Sequence, residues 1–321
     1  MALALLTLLT ACAATAPAPP REGTNELATV PFFPQTEYQC GPAALATVLV
    51  HSGVATNPEA LAPQVYLPGR QGSLQLELLA AVRRAGRIPF TLDAGPEALL
   101  SELQAGNPVL VLQNLGLRSL PRWHYAVVVG YEPASQRVIL RSGTERRRQE
   151  RWGRFMSSWA RADFWGVVVP ATGRLPASAS AGSIGPALAH QEAQLDPAVA
   201  RAAWERALAR WPEHPDILFA TANARRQDPE PEAAAVLYRR LLLQQPAHPA
   251  ARNNFADLLL HAGCPAAGAA IIEPARAAAT TLAAAVRDAI NSTAADIASL
   301  LVDHSTDPAH CRALSGDLPR P

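Results

Sequence analysis

A 34-residue echo runs through the second half of the chain. Trp204, Ala207, Pro212, His214 and Pro215 return as Tyr238, Leu241, Pro246, His248 and Pro249, each at an offset of 34. Such a period constrains a fold more than composition does, because a unit that cannot bury its apolar face alone must stack on its neighbour. The unit reads as helical. Small Ala200 and Ala234 each precede an aromatic by four residues, which lets paired helices approach closely, and a proline closes each unit. Residues 250–263, "AARNNFADLLLHAG", are expected to begin a further copy, with Ala256 in a small-residue slot. Trp204 and Tyr238 are expected in the core.

This pattern resembles the tetratricopeptide family, without the Trp-Leu-Gly start of its first helices. The resemblance implies a short solenoid of two or three repeats over residues 196–290, whose concave face binds a peptide or protein partner. Residues 291–321 then read as a C-terminal helix and tail. Residues 171–195, rich in Ala, Ser, Gly and Pro and without a sustained period, read as the linker to what precedes.

Upstream of the linker the texture is different. At 321 residues the chain suits two domains. Its formal net charge of +1 gives no reason to expect a nucleic-acid partner, and it contains no lysine. Four cysteines, Cys12, Cys40, Cys264 and Cys311, are too few for a disulfide scaffold.

The N-terminal run "MALALLTLLTAC" is too short to span a bilayer but suits the apolar core of a secretory signal. Its Leu-Thr-Ala-Cys ending resembles the bacterial lipobox, although no Lys or Arg precedes the apolar run. That resemblance implies a signal over residues 1–12, lipidation of Cys12, and a lipoprotein anchored to a membrane facing the periplasm. Ala13 after the cysteine is compatible with the outer membrane of a Gram-negative cell. Residues 13–27, including "AATAPAPP", read as a flexible tether.

In "PQTEYQCGPAALATVL", residues 34–49, Cys40 could be a small buried hydrophobe, half of a disulfide, or a thiolate nucleophile. Pro42 is tolerated in the first turn of a helix that closes near Gly53, so Cys40 is placed at a helix N-terminus, where the dipole is expected to lower the thiol pKa. A nucleophile needs a base. His51 lies about three turns along the same helix, beyond reach. His124 opens "HYAVVVGY", which with "QRVIL" reads as an antiparallel hairpin around Glu132-Pro133-Ala134-Ser135.

"QTEYQCGPAAL" followed by "WHYAVVVGY" resembles the bacteriocin-processing, double-glycine leader peptidases, which are papain-like cysteine proteases. "LQAGNPVLVL" and "FWGVVVP" resemble further strands of that family, so the resemblance covers about residues 28–170. It implies an α+β papain-like domain ahead of the all-α repeats, acting on a peptide or protein. Cys40 would be the nucleophile and His124 the general base and then acid. Gln35 would be the oxyanion donor, with Gln39 a less suitable stand-in. The family usually has an Asp as third member. Here "VILRSG" puts Ser142 in that slot, leaving Asp163 as an alternative acid.

Neither metal nor nucleotide is implied, and no cofactor is expected. The same Cys-His pair would also serve an amidase or acyltransferase, or persist in an impaired peptide-binding scaffold. The basic run over residues 141–154 reads as a solvated loop face. In an oxidising compartment Cys264 and Cys311 could pair; in a cytosol they would be free thiols. His310 beside Cys311 lacks the further ligands a metal pair requires.

Overall fold

The computed structural model describes residues 17–24, 26–35, 39–93, 95–226, 228–301 and 307–318. Cys12 and the expected signal lie outside them. The chain divides into two compact units. One ends at Ala171 and takes back Pro176–Ser178; the other holds Thr172–Leu175 and everything from Ala179 onward.

The first unit opens with α1 (Cys40–His51), followed by α2 (Pro58–Val65), a small hairpin of β1 (Tyr66–Leu67) and β2 (Gly72–Ser73), and α3 (Gln75–Arg84). Then come β3 (Phe90–Thr91), α4 (Pro96–Gln104), β4 (Val109–Asn114), β5 (Trp123–Glu132), β6 (Arg137–Ser142), β7 (Glu145–Arg151), α5 (Trp152–Ala160) and β8 (Gly166–Val168). The main sheet is antiparallel throughout, in the order β3-β8-β4-β5-β6-β7.

The near-continuous apolar run of β5 is explained by burial on both faces. Tyr125, Val127 and Val129 pack with Leu45, Val48 and Leu49 of α1; Ala126 and Val128 pack with Phe155, Met156 and Trp159 of α5. A register shift between Val128 and Gly130 changes the parity, which puts Tyr131 on the α5 side with Val128. Because α1 is buried on nearly every side from Gly41 to Leu49, it is the central helix of this unit. That burial fixes where Cys40, its first residue, can sit.

Two expectations for this unit are corrected. The segment expected as a tether over residues 13–27 is held to the sheet at Pro17, Thr24 and Glu26. Trp152 donates its indole N–H to the Pro17 carbonyl at 2.9 Å, Thr24 bridges to Tyr131, and Glu26 pairs with Arg141 at 3.3 Å and Arg147 at 2.6 Å. Buried aromatic N–H and guanidinium groups need acceptors, and the Pro-rich segment supplies them. The basic run is likewise an edge strand, not a loop. β7 pairs with β6 and turns most of its charged side chains outward, which protects a sheet edge, while Glu150 is buried against Gln113 and Arg141 of β6 is drawn inside to the Val30 and Arg146 carbonyls.

The second unit is helical: α6 (Ala181–Ala189), α7 (Pro197–Arg210), α8 (Pro215–Arg225), α9 (Glu232–Gln244), α10 (Pro249–His261), α11 (Pro265–Ala277), α12 (Ala284–Leu300) and α13 (Pro308–Ser315). The echo maps onto helix pairs, since α8 and α10 both open on a Pro after a His, at Pro215 and Pro249. Trp204 and Tyr238 are buried, as are Ala200, Ala234 and Ala256.

Three boundaries differ from expectation. Residues 250–263 form the second helix of the α9–α10 pair, and the next pair begins at α11. The expected linker over 171–195 contains α6, which the sequence hid because its start depends on reciprocal Ser180–Ser183 caps and not on apolar spacing. α12 runs across the boundary expected at residue 290.

Cys264 and Cys311 are joined by a disulfide closing a 47-residue separation. It ties α13, too short to be stable alone, to the start of α11, with Leu314 buried alongside. Reduction should therefore destabilise this unit by up to about 4 kcal/mol on the chain-entropy account. Hydrogen exchange of α13 and of the first turn of α11 should speed up in reductant while β4–β6 stay protected; unchanged exchange in α13 would show that Leu314 packing suffices.

Candidate active site

The first residue of α1 reaches the cleft without a side-chain cap. Gln39 flanks the helix with no side-chain hydrogen bond, so the leading N–H groups stay available. The backbone N–H groups of Cys40, Gly41 and Tyr125 all favour the thiolate form of Cys40. Burial outweighs them and pushes the thiol up. A lowered thiol pKa is expected from the helix start; here loss of hydration at this half-buried position exceeds the pull of the backbone N–H groups. Cys40 is the one free cysteine among the described residues.

Gly41 is required by the contact that follows. A Cβ there would sit 2.3 Å from Ser73 Oγ and 2.6 Å from Ser73 Cβ. Only glycine lets the β1–β2 hairpin close against the helix start. Tyr125 secures that hairpin by donating its hydroxyl to the Ser73 carbonyl at 3.2 Å.

His124 enters from β5, directly opposite Gln113 of β4. Its Nε2 lies 2.7 Å from Ser142 Oγ, at the end of β6. With Nε2 engaged, Nδ1 is the nitrogen left to serve a thiol. Burial, then the positive charges of Arg148 and Arg122, lower the imidazole pKa to about 4. Near neutral pH both members of the pair are therefore uncharged in the empty cleft.

Gln35 is positioned by the residue next to Ser142. Its backbone N–H donates to the Gly143 carbonyl at 2.9 Å, and its side-chain Oε1 accepts the Gly143 N–H at 3.0 Å. A backbone donor identifies the amide oxygen without ambiguity, so the Gln35 NH2 is the end left to point elsewhere. Gly143 holds this exchange with a left-handed φ of 61°. The corner between β6 and β7 thus orients two side chains, His124 through Ser142 and Gln35 through Gly143. The sequence offered no signal for Gly143's part, since it is carried by backbone groups.

A cavity of about 970 Å3 opens between these elements, and Gln35, Cys40 and His124 all line it. Gln39 is exposed and does not line it. Asp163 sits on the wall in a left-handed turn with Phe164, but makes no hydrogen bond to His124; the imidazole partner is Ser142. Arg70, Arg122 and Trp123 also line the cleft, and none of these three was singled out by the sequence. Among the described residues, no group of three or more His, Cys, Asp or Glu could hold a metal ion.

Residues 27–166 match the family model described as the Peptidase_C39 like family. The matched stretch contains Gln35, Cys40, His124 and Ser142 and lies wholly in the first unit. Three solved structures are similar to this chain. A protein from Bacillus anthracis described as C39-like peptidase is 16% identical, with a TM-score of 0.39, covering 46% of this chain and 97% of that one. A double glycine motif protease from an AMS/PCAT transporter, in complex with the leader peptide, is 22% identical, with a TM-score of 0.36 and coverage of 46% and 96%. The peptidase domain of Streptococcus ComA, a bi-functional ABC transporter, is 20% identical, with a TM-score of 0.35 and coverage of 44% and 98%. No curated protein matches the chain.

Proposed function

We propose that the first unit is a C39-like, papain-like cysteine peptidase acting on a peptide or exposed protein segment. The observation that carries this reading is the hydrogen bond that His124 Nε2–H donates to Ser142 Oγ, made in the same cleft that Cys40 lines at a helix start. In the reaction, Nδ1 of His124 takes the Cys40 proton as sulfur attacks the peptide carbonyl, so the thiolate forms during the step. The Gln35 NH2 and the Cys40 N–H hold the oxyanion. The imidazolium then returns its proton to the leaving amine, and water, deprotonated by His124, releases the acyl group.

The rest of the reading extends the same proposal. The α7–α12 helices serve as a tetratricopeptide-like surface for a substrate or protein partner. Cys12 carries a lipid anchor, which places the protein on a membrane facing the periplasm. Among the described residues no helix is long and apolar enough to cross a membrane.

A second reading has support in one feature. Ser142 supplies no negative charge for an imidazolium, which would suit a peptide-binding scaffold with lost turnover, and the same pair would serve an amidase or acyltransferase. One experiment separates these. A peptide library made by digesting a bacterial proteome is incubated with wild type, Cys40→Ser and His124→Ala. New peptide termini are expected with wild type alone. New amino termini without matching new carboxyl termini, the acyl part being held on Cys40 or passed to another amine, would favour acyl transfer, and neither product would favour the scaffold.

A further inference from the structure

The cleft walls carry positive charge that the chemistry above does not use. Arg70 projects from the turn of the β1–β2 hairpin and Arg122 from the foot of β5, and both line the cavity. Both side chains are exposed, and neither has an ion pair among the described residues. Arg122 is held in place through its backbone N–H, which donates to Asn114 Oδ1 at 3.0 Å. That same oxygen accepts the Gly116 N–H at 2.9 Å and shapes the loop ahead of β5.

Arg148, on β7, adds to the field even though it pairs with Glu145 at 3.1 Å, because its charge still acts on the imidazole. The start of α1 contributes a further partial positive charge. Against these stands Asp163, the one carboxylate lining the cavity among the described residues.

We infer that this cleft selects peptide segments that carry an acidic residue close to the bond to be cut, with Arg122 and Arg70 receiving its carboxylate. The inference rests on the peptidase reading and names its substrate class. A guanidinium with no internal ion pair breaks none by turning to a ligand carboxylate, and its planar fork matches that group. A bound carboxylate would do a second thing. By offsetting Arg122 it would relieve the charge that opposes proton uptake by His124, so binding of an acidic segment would favour the imidazolium that attack creates.

The test compares two alkylating reagents on the full chain: iodoacetate, an anion, and iodoacetamide, its neutral analogue. Each loses iodide to the Cys40 sulfur, so the ratio of their rates reports local charge and cancels changes in thiol reactivity. The expected ratio exceeds that of glutathione and falls about threefold on Arg122→Gln, further on Arg122→Glu. Raising salt from low to about 0.5 M should compress the wild-type ratio with no substitution at all. In the peptide library, acidic residues should be enriched within two positions of the cut, and the enrichment should vanish in Arg122→Glu. A ratio equal to that of glutathione, or one indifferent to both salt and Arg122, overturns the substrate class while leaving the peptidase reading intact. If His124→Ala leaves the labelling rate of Cys40 by both reagents unchanged, His124 does not act on the thiol and the peptidase reading itself fails.

Discussion

Ser142→Asp should raise the iodoacetamide reactivity of Cys40 at neutral pH by at least about tenfold. Ser142 Oγ lies 2.7 Å from His124 Nε2, so a carboxylate there would face the imidazole at contact distance. An opposite charge within about 4–6 Å typically moves a pKa by about 1–3 units toward the charged form. From a starting value of about 4, the imidazole would then titrate at about 5–7. Each unit gained multiplies the thiolate–imidazolium population tenfold, because the proton leaves sulfur for a better base.

The companion Ser142→Ala should act in the opposite direction. It removes the acceptor that fixes the ring and leaves a buried N–H unpaired, a cost of about 1–3 kcal/mol. Alkylation should fall roughly tenfold on that account. If Asp and Ala variants both alkylate like wild type, Ser142 does not orient His124, and Asp163 becomes the residue to replace.

The same geometry predicts a pH effect on stability. Burial depresses the His124 pKa from 6.5 to about 4, so the fold favours the neutral ring. That contribution is fully present above about pH 6.5 and is lost as pH falls toward 4. Urea midpoints measured across this range should narrow their spread in Ser142→Asp, whose ring tolerates the proton.

The sequence disclosed this site unevenly, for physical reasons. Cys40 and His124 were legible because each sits at a strong local signal: a Gly-Pro helix start, and the first residues of an apolar strand. Ser142 was legible as an occupant of a slot from which a serine could hydrogen-bond the imidazole, because β5 and β6 form a local hairpin, but the register shift between Val128 and Gly130 that sets their pairing was not. Arg122 was invisible. Its place on the cleft follows from Asn114, eight residues earlier, folding the intervening loop with one side-chain oxygen. The thiol's raised pKa was misread for a related reason. Dipole direction can be inferred from a helix start, but loss of hydration depends on which distant segments cover the sulfur.

In the second unit, periodicity revealed helices α7 to α10 and failed at α6 and α12. The 34-residue echo reports packing faces, which the repeating helices share. α6 begins on side-chain caps in a Ser- and Gly-rich stretch. α12 has Ile290 and Ile297 buried but follows no proline at its start.

Gly41→Ala should cripple the cleft more than any other single methyl group. The added Cβ would meet Ser73 Oγ at 2.3 Å and Ser73 Cβ at 2.6 Å, and neither belongs to a long side chain that can swing aside. The hairpin must retreat, and with it the wall from Arg70 to Gln75. Overpacking of this kind costs about 1–3 kcal/mol, which for a unit of this size lowers Tm by about 2–10 °C. The functional loss should be larger. A displacement of about 1 Å at a nucleophile can lower turnover about 100-fold, and the Gly41 N–H is itself one of the groups facing the Cys40 sulfur. Ser73→Gly provides the control. Its Oγ is buried without a hydrogen-bond partner, so its removal should cost little and should reopen the space that the added methyl needs. Gly41→Ala with Ser73→Gly is therefore expected to recover most of the Tm and most of the Cys40 alkylation rate. A double variant no better than Gly41→Ala would place the requirement for glycine in the helix start itself. The hairpin's approach would then no longer explain it.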